Sequence, residues 1–174
     1  MNTRTATETP TRIIAFFAIG ICVLTASSYV SVPMFPVPVT MQTLAIVLVG
    51  ALAGPRLGAA MVMSWLGLAL MGAPVLAGSK AGLAAFIGPT AGYLAAFPIA
   101  AFLAGYVTRL NHPALHFTGF LALHVVILSM GWAWLSALIG AQAAFASGVA
   151  PFLIGAGIKS ALAASLLVVL PKRA

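Results

Sequence analysis

Lys159, Lys80 and His124 are the residues of this chain that could do chemistry, and what is missing around them decides which chemistry. All three lie between Ile13 and Leu170, a stretch without a single Asp or Glu; the one acidic side chain in 174 residues is Glu8. A lysine in an apolar segment with no carboxylate to pair must shed its proton or take its counter-charge from a bound anion. Lys159 stands about two turns into the last apolar stretch, so it either meets an anionic ligand inside or snorkels to the headgroups. Lys80 falls in a Gly-rich segment, where solvation competes with ligand contact. His124 alone among the titratable residues falls in the middle of a span, and without an acid beside it hydrogen bonding between helices suits it better than proton transfer. The same lack of acids leaves no acidic relay for proton-coupled transport, no acidic ring for cation selection and no nucleophile–base pair for an intramembrane enzyme.

Two further leads close quickly. Gly155-Ala156-Gly157-Ile158-Lys159-Ser160 has the outline of a phosphate-binding loop, but that motif needs Gly directly before the Lys and a hydrophilic strand–loop–helix setting. Here Ile158 precedes the Lys and the flanks are apolar, so ATP binding is not expected of this chain. Cys22 is the only cysteine, which excludes an internal disulfide and a cysteine metal cluster.

The elements that must position these residues are membrane helices. Charged residues are 5% of the chain and apolar ones 63%, with a mean hydropathy of +1.16, against about a quarter charged in a soluble domain. The net charge of +7 comes from cations scattered singly between apolar runs, which argues against nucleic acid. Spans of about 20 apolar residues are expected near 13–30, 40–54, 57–72, 90–108, 115–140 and 152–170. The second and third are short and joined through Gly54-Pro55-Arg56, as in a helical hairpin. The first has the flanks of a signal peptide, with Arg4 and Arg12 ahead and Ala26-Ser27-Ser28 behind. Its apolar run continues to Val32, however, and Ala18, Cys22 and Ala26 form a stripe suited to close packing, so a retained helix is favoured.

With the N-terminus inside, the inside segments carry Arg4, Arg12, Arg56, Arg109, Lys172 and Arg173, and the outside ones only Lys80 and Lys159. That bias predicts both termini in the cytoplasm. His112 and His116, near Arg109, read as a solvated interfacial turn. The outside connections (31–40, 72–93 and 141–151) are apolar and rich in Gly and Pro, so they are expected to fold onto the helix ends and enclose a pocket.

Three segments together resemble a known family. They are Pro36-Val37-Pro38-Val39-Thr40-Met41-Gln42-Thr43-Leu44 with Gly54-Pro55-Arg56-Leu57-Gly58; Gly72-Ala73-Pro74-Val75-Leu76-Ala77-Gly78 with Gly88-Pro89-Thr90-Ala91-Gly92-Tyr93-Leu94; and Pro151-Phe152-Leu153-Ile154-Gly155 with Lys159. In combination they are similar to the BioY family, the biotin-specific substrate-binding (S) components of energy-coupling factor (ECF) transporters. The resemblance implies an all-α, polytopic membrane protein: a six-transmembrane-helix bundle over 13–170, with cytoplasmic tails at 1–12 and 171–174 and apolar outer loops capping a pocket. It implies a non-enzymatic subunit of the bacterial inner membrane that captures biotin and delivers it through a transmembrane coupling protein and two ATPase subunits, with no cofactor or metal of its own. A stand-alone facilitator or channel without an ATPase partner is the alternative. Departures from the family pattern are Ala156, where an acid usually stands, Leu76 in place of Phe, and Ser79 and Ala91 in place of Gly.

Biotin would ask such a pocket for a cation for its carboxylate, hydrogen-bonding groups for its ureido end and apolar contacts for its sulfur ring. Lys159 or Lys80 could supply the first. Gln42, Thr43, Ser79, Thr90 and Tyr93 could supply the second, and Val39, Leu76, Phe86 and Trp134 the third. By the same resemblance Ala18, Cys22 and Ala26 are a candidate face for docking the coupling protein, with packing inside the bundle as the alternative.

Overall fold

The computed structural model describes residues 5–110 and 112–169, with the side chains of residues 5–10 and 12 left out of that description. Arg4, Lys172 and Arg173, and the tail at 171–174, therefore lie outside the described residues, as do the side chains of Glu8 and Arg12. The chain is mostly helical, in the order α1 (Thr5–Tyr29), β1 (Ser31–Val32), β2 (Val39–Thr40), α2 (Gln42–Ala53), α3 (Pro55–Leu70), a 3₁₀ turn (Ala77–Ser79), α4 (Leu83–Ile87), α5 (Ala91–Val107), α6 (Pro113–Ile139), α7 (Ala141–Gly148), a second 3₁₀ turn (Ala150–Phe152) and α8 (Leu153–Val169).

Each expected apolar span contains a helix, from 12 residues in α2 to 27 in α6. The α2–α3 hairpin turns at Gly54, whose φ of +85° only glycine adopts without strain, and Pro55 opens α3 where its missing N–H is not needed. By length and composition, Pro113–Ile139 and Ala141–Val169 are each sufficient to cross a membrane. The other apolar helices are shorter, and α2 with 12 residues is only about 18 Å long.

The structure departs from expectation at three places. Helix α1 begins at Thr5 rather than near Ile13. The connection expected as a loop at 141–151 is not irregular: it holds α7 and a 3₁₀ turn. Gly140, with φ +85°, ends α6, and the Ala-rich run that follows has high helix propensity, which the flanking Gly and Pro obscure in the sequence. His116 is buried, its Nε2 2.7 Å from the Leu110 carbonyl. Only His112 behaves as a surface turn residue, its Nδ1 accepting the Ala114 N–H at the start of α6.

Helix α5 is the centre of the bundle and packs on α2, α3 and α6. Small residues make this possible. A Cβ on Gly50 of α2 would collide with the Ala101 backbone of α5, and one on Gly105 would collide with Pro55. Helices approach this closely when glycine removes the side chain from the contact. Large apolar side chains fill the interior, among them Leu24, Ile46, Met61, Trp65 and Phe120, while Ile14, Met63, Ile154 and Val169 remain exposed on the outside. An apolar exterior over an apolar core is what a lipid-solvated bundle requires.

Candidate ligand cavity

The pieces that the sequence separates meet at one end of the helices. The β1–β2 hairpin pairs Ser31 with Thr40 and Val32 with Val39 and turns Val37 and Pro38 inward. The α3–α5 connection adds Leu76, Ala77 and Lys80. Helices α5, α6 and α8 contribute Tyr93, Leu94, Phe97, Ile127, Leu128 and Lys159, and the 3₁₀ turn before α8 contributes Phe152. Together they line a mostly apolar cavity that is open at its mouth.

Lys159 is the main polar feature of the cavity. It is only 8% exposed, and its ammonium donates to the Thr40 carbonyl at 2.6 Å and the Thr43 hydroxyl at 3.1 Å. Both partners are neutral, so two of its three protons are satisfied while its charge is not. It does not snorkel. Lys80 also lines the cavity but is exposed and has no hydrogen-bond partner among the described residues.

The other expected site residues separate into three groups. Thr43 and Thr90 line the cavity. Gln42 and Tyr93 line it as well, but their polar atoms are committed elsewhere. The Gln42 amide bridges Thr40 and Ser28. The Tyr93 hydroxyl donates to the Gly148 carbonyl at 2.7 Å, pinning the end of α7, while its ring stacks on Phe152 at 6.4 Å. Ser79 and Trp134 are not in the wall. Ser79 is exposed, and its backbone stands at φ +56°, the left-handed region that glycine occupies without strain. Trp134 instead donates its indole N–H to the Gly88 carbonyl at 2.9 Å, tying the α4–α5 connection to α6. Val39 and Phe86 are likewise outside the wall, whereas Leu76 is in it.

His124 makes the interhelical contact expected of it. Its Nδ1 lies 2.9 Å from the Phe120 carbonyl and 3.1 Å from the Ser160 hydroxyl of α8. Ala156, one turn before Ser160, is buried and accepts the Ser160 hydroxyl through its carbonyl. Sequence reasoning did not reach Ser28 or the Thr40 carbonyl. A serine at the end of an apolar helix carries no signal of its own, and a backbone carbonyl carries none at all. On α1, Ala18, Cys22 and Ala26 are all exposed, so the stripe is not consumed by packing within the chain.

A helical bundle with an apolar exterior and a cavity lined by converging polar groups is the architecture of a small-molecule-binding membrane protein. The chain belongs to the BioY family, whose model matches residues 1–174. It is 35% identical over 150 residues to the probable biotin transporter BioY of Pyrococcus horikoshii, covering 86% of this chain and 90% of that relative. It is 40% identical over 100 residues to the biotin transporter BioY of Rhizobium etli, covering 56% and 54% of the two chains. Its fold matches the crystal structure of the S-component for biotin from an ECF-type ABC transporter with a TM-score of 0.85, at 26% identity, over 100% of this chain and 96% of that one.

Proposed function

We propose that this chain is the biotin-capturing membrane subunit of an uptake system, and that its cavity is the biotin site. The observation that carries this reading is Lys159: a buried ammonium held by two neutral oxygens in a membrane region with no acid. An anionic ligand supplies the missing charge. Biotin has one carboxylate, a ureido group for Thr43, Thr90 and Lys80, and a sulfur ring for Leu76, Leu94, Phe97 and Phe152.

In this reading the helices α1, α2, α3, α5, α6 and α8 form the six-helix bundle in the bacterial inner membrane, with both termini cytoplasmic and the cavity at the outer face. The cation bias supports that orientation. Release inward is driven by a transmembrane coupling protein and two ATPase subunits, since the chain has no nucleotide motif. The exposed Ala18, Cys22 and Ala26 stripe supports α1 as the face that docks the coupling protein.

Calorimetry on the detergent-solubilised protein tests the ligand: biotin is expected to bind without ATP. Heat with another vitamin and none with biotin would overturn the specificity. A reporter fused after Ala174 is expected to read cytoplasmic, and an outside signal would overturn the orientation and the face on which the cavity opens. Concentrative uptake in cells lacking any coupling module would replace the subunit reading with a stand-alone carrier.

A further inference from the structure

A buried series of hydrogen bonds runs from α1 to the cavity lysine. Lys159 donates to the Thr40 carbonyl at 2.6 Å. The Thr40 hydroxyl donates to Gln42 Oε1 at 3.1 Å, Gln42 Nε2 donates to Ser28 Oγ at 2.8 Å, and the Ser28 hydroxyl donates to the Leu24 carbonyl at 2.8 Å. Ser28, Thr40, Gln42 and Lys159 are each more than nine-tenths buried.

The direction of the series follows from its far end. The single proton of Ser28 is spent on Leu24, so Ser28 can only accept from Gln42; the amide must then turn its N–H to Ser28 and its oxygen to Thr40. Thr40 Oγ1 also receives the Gln42 backbone N–H at 3.3 Å. Thr40 is thus clamped on both sides at the junction of a two-residue strand and α2, a short segment with little regular structure to hold it. Its carbonyl is the nearer of the two acceptors that hold the Lys159 ammonium. Removing Ser28 would leave the Gln42 N–H buried without a partner, and the amide would have to leave its position to find one.

Resting on the reading of the cavity as a biotin site, we propose that Ser28 and Gln42 are positioning residues for ligand binding. They act through the Thr40 carbonyl, which aims the Lys159 ammonium. Gln42 holds the lysine's partner rather than the ligand.

A double-mutant cycle tests this. Biotin affinity is measured by calorimetry for the wild type, Ser28→Ala, Lys159→Met and the double variant, with size-exclusion and thermal unfolding confirming that each is folded. Ser28→Ala is expected to bind about tenfold more weakly, the effect of loosening one bond of a buried network. In the Lys159→Met background the same change is expected to alter affinity by less than about twofold, because the group it positions is already gone. Ser28→Thr, which keeps the hydroxyl, is expected to restore most of the affinity. Should Ser28→Ala fail to fold, Gln42→Met enters the same cycle with the same expected pattern. Additive losses, or a folded Ser28→Ala that binds like the wild type, would overturn the positioning role while leaving the biotin site standing. A wild type that does not bind biotin would overturn both.

Discussion

Replacing Lys159 with methionine keeps the aliphatic stem and removes the charge, and the structure predicts effects of opposite sign on stability and on binding. Without ligand, the ammonium is buried against one carbonyl and one hydroxyl with no counter-charge. Removing it relieves an uncompensated desolvation penalty, so ligand-free Lys159→Met is expected to unfold at a higher temperature than the wild type. With biotin, truncating one partner of a buried charge pair costs about 2–5 kcal/mol, roughly 30- to 4,000-fold in Kd. Thermal unfolding with and without biotin reads both effects. At biotin equal to 100 times the wild-type Kd, the wild type gains about 2.7 kcal/mol, whereas a variant weakened 100-fold gains only about 0.4 kcal/mol at that concentration. Biotin amide then reports which end of the ligand Lys159 holds. If it is the carboxylate, amide and variant each weaken binding but together do little more; if it is the ureido end, their costs add. A Lys159→Met protein that binds biotin nearly as well as the wild type would refute the role given to its charge.

Ser79→Gly is expected to stabilise the fold by about 1 kcal/mol, because φ +56° costs a side chain roughly that much; it should leave biotin affinity unchanged, as thermal unfolding and calorimetry would read. Gly50→Ala places a methyl against the Ala101 backbone and is expected to destabilise by about 1–3 kcal/mol through overpacking, seen as a lower unfolding temperature and reduced yield. Trp134→Phe removes the indole bond to Gly88 without touching the cavity wall. It is expected to lower stability by about 1 kcal/mol and to shift biotin affinity by less than a factor of about three; a larger loss of affinity would place Trp134 in the site after all.

The sequence by itself determined what depends on solvent and on local chain geometry. Lipid solvation requires long apolar helices and tolerates few charges, so the spans, the hairpin at Gly54-Pro55 and the exceptional standing of Lys159 and His124 were legible from residue types alone. Glycine and proline marked the ends of elements well, but they hid α7, where an Ala-rich interior outweighs its Gly and Pro flanks. What only the tertiary structure decided is which polar atom faces which. Lys159 takes its nearer acceptor from Thr40, 119 residues away, and Gln42 is claimed by Ser28 on a different helix. Tyr93 spends its proton on Gly148, while Ser79 and Trp134 stay outside the cavity wall. The reason is physical: a polar group inside an apolar bundle can only be satisfied by a partner within the fold, and which partner is near is set by helix packing and not by position along the chain.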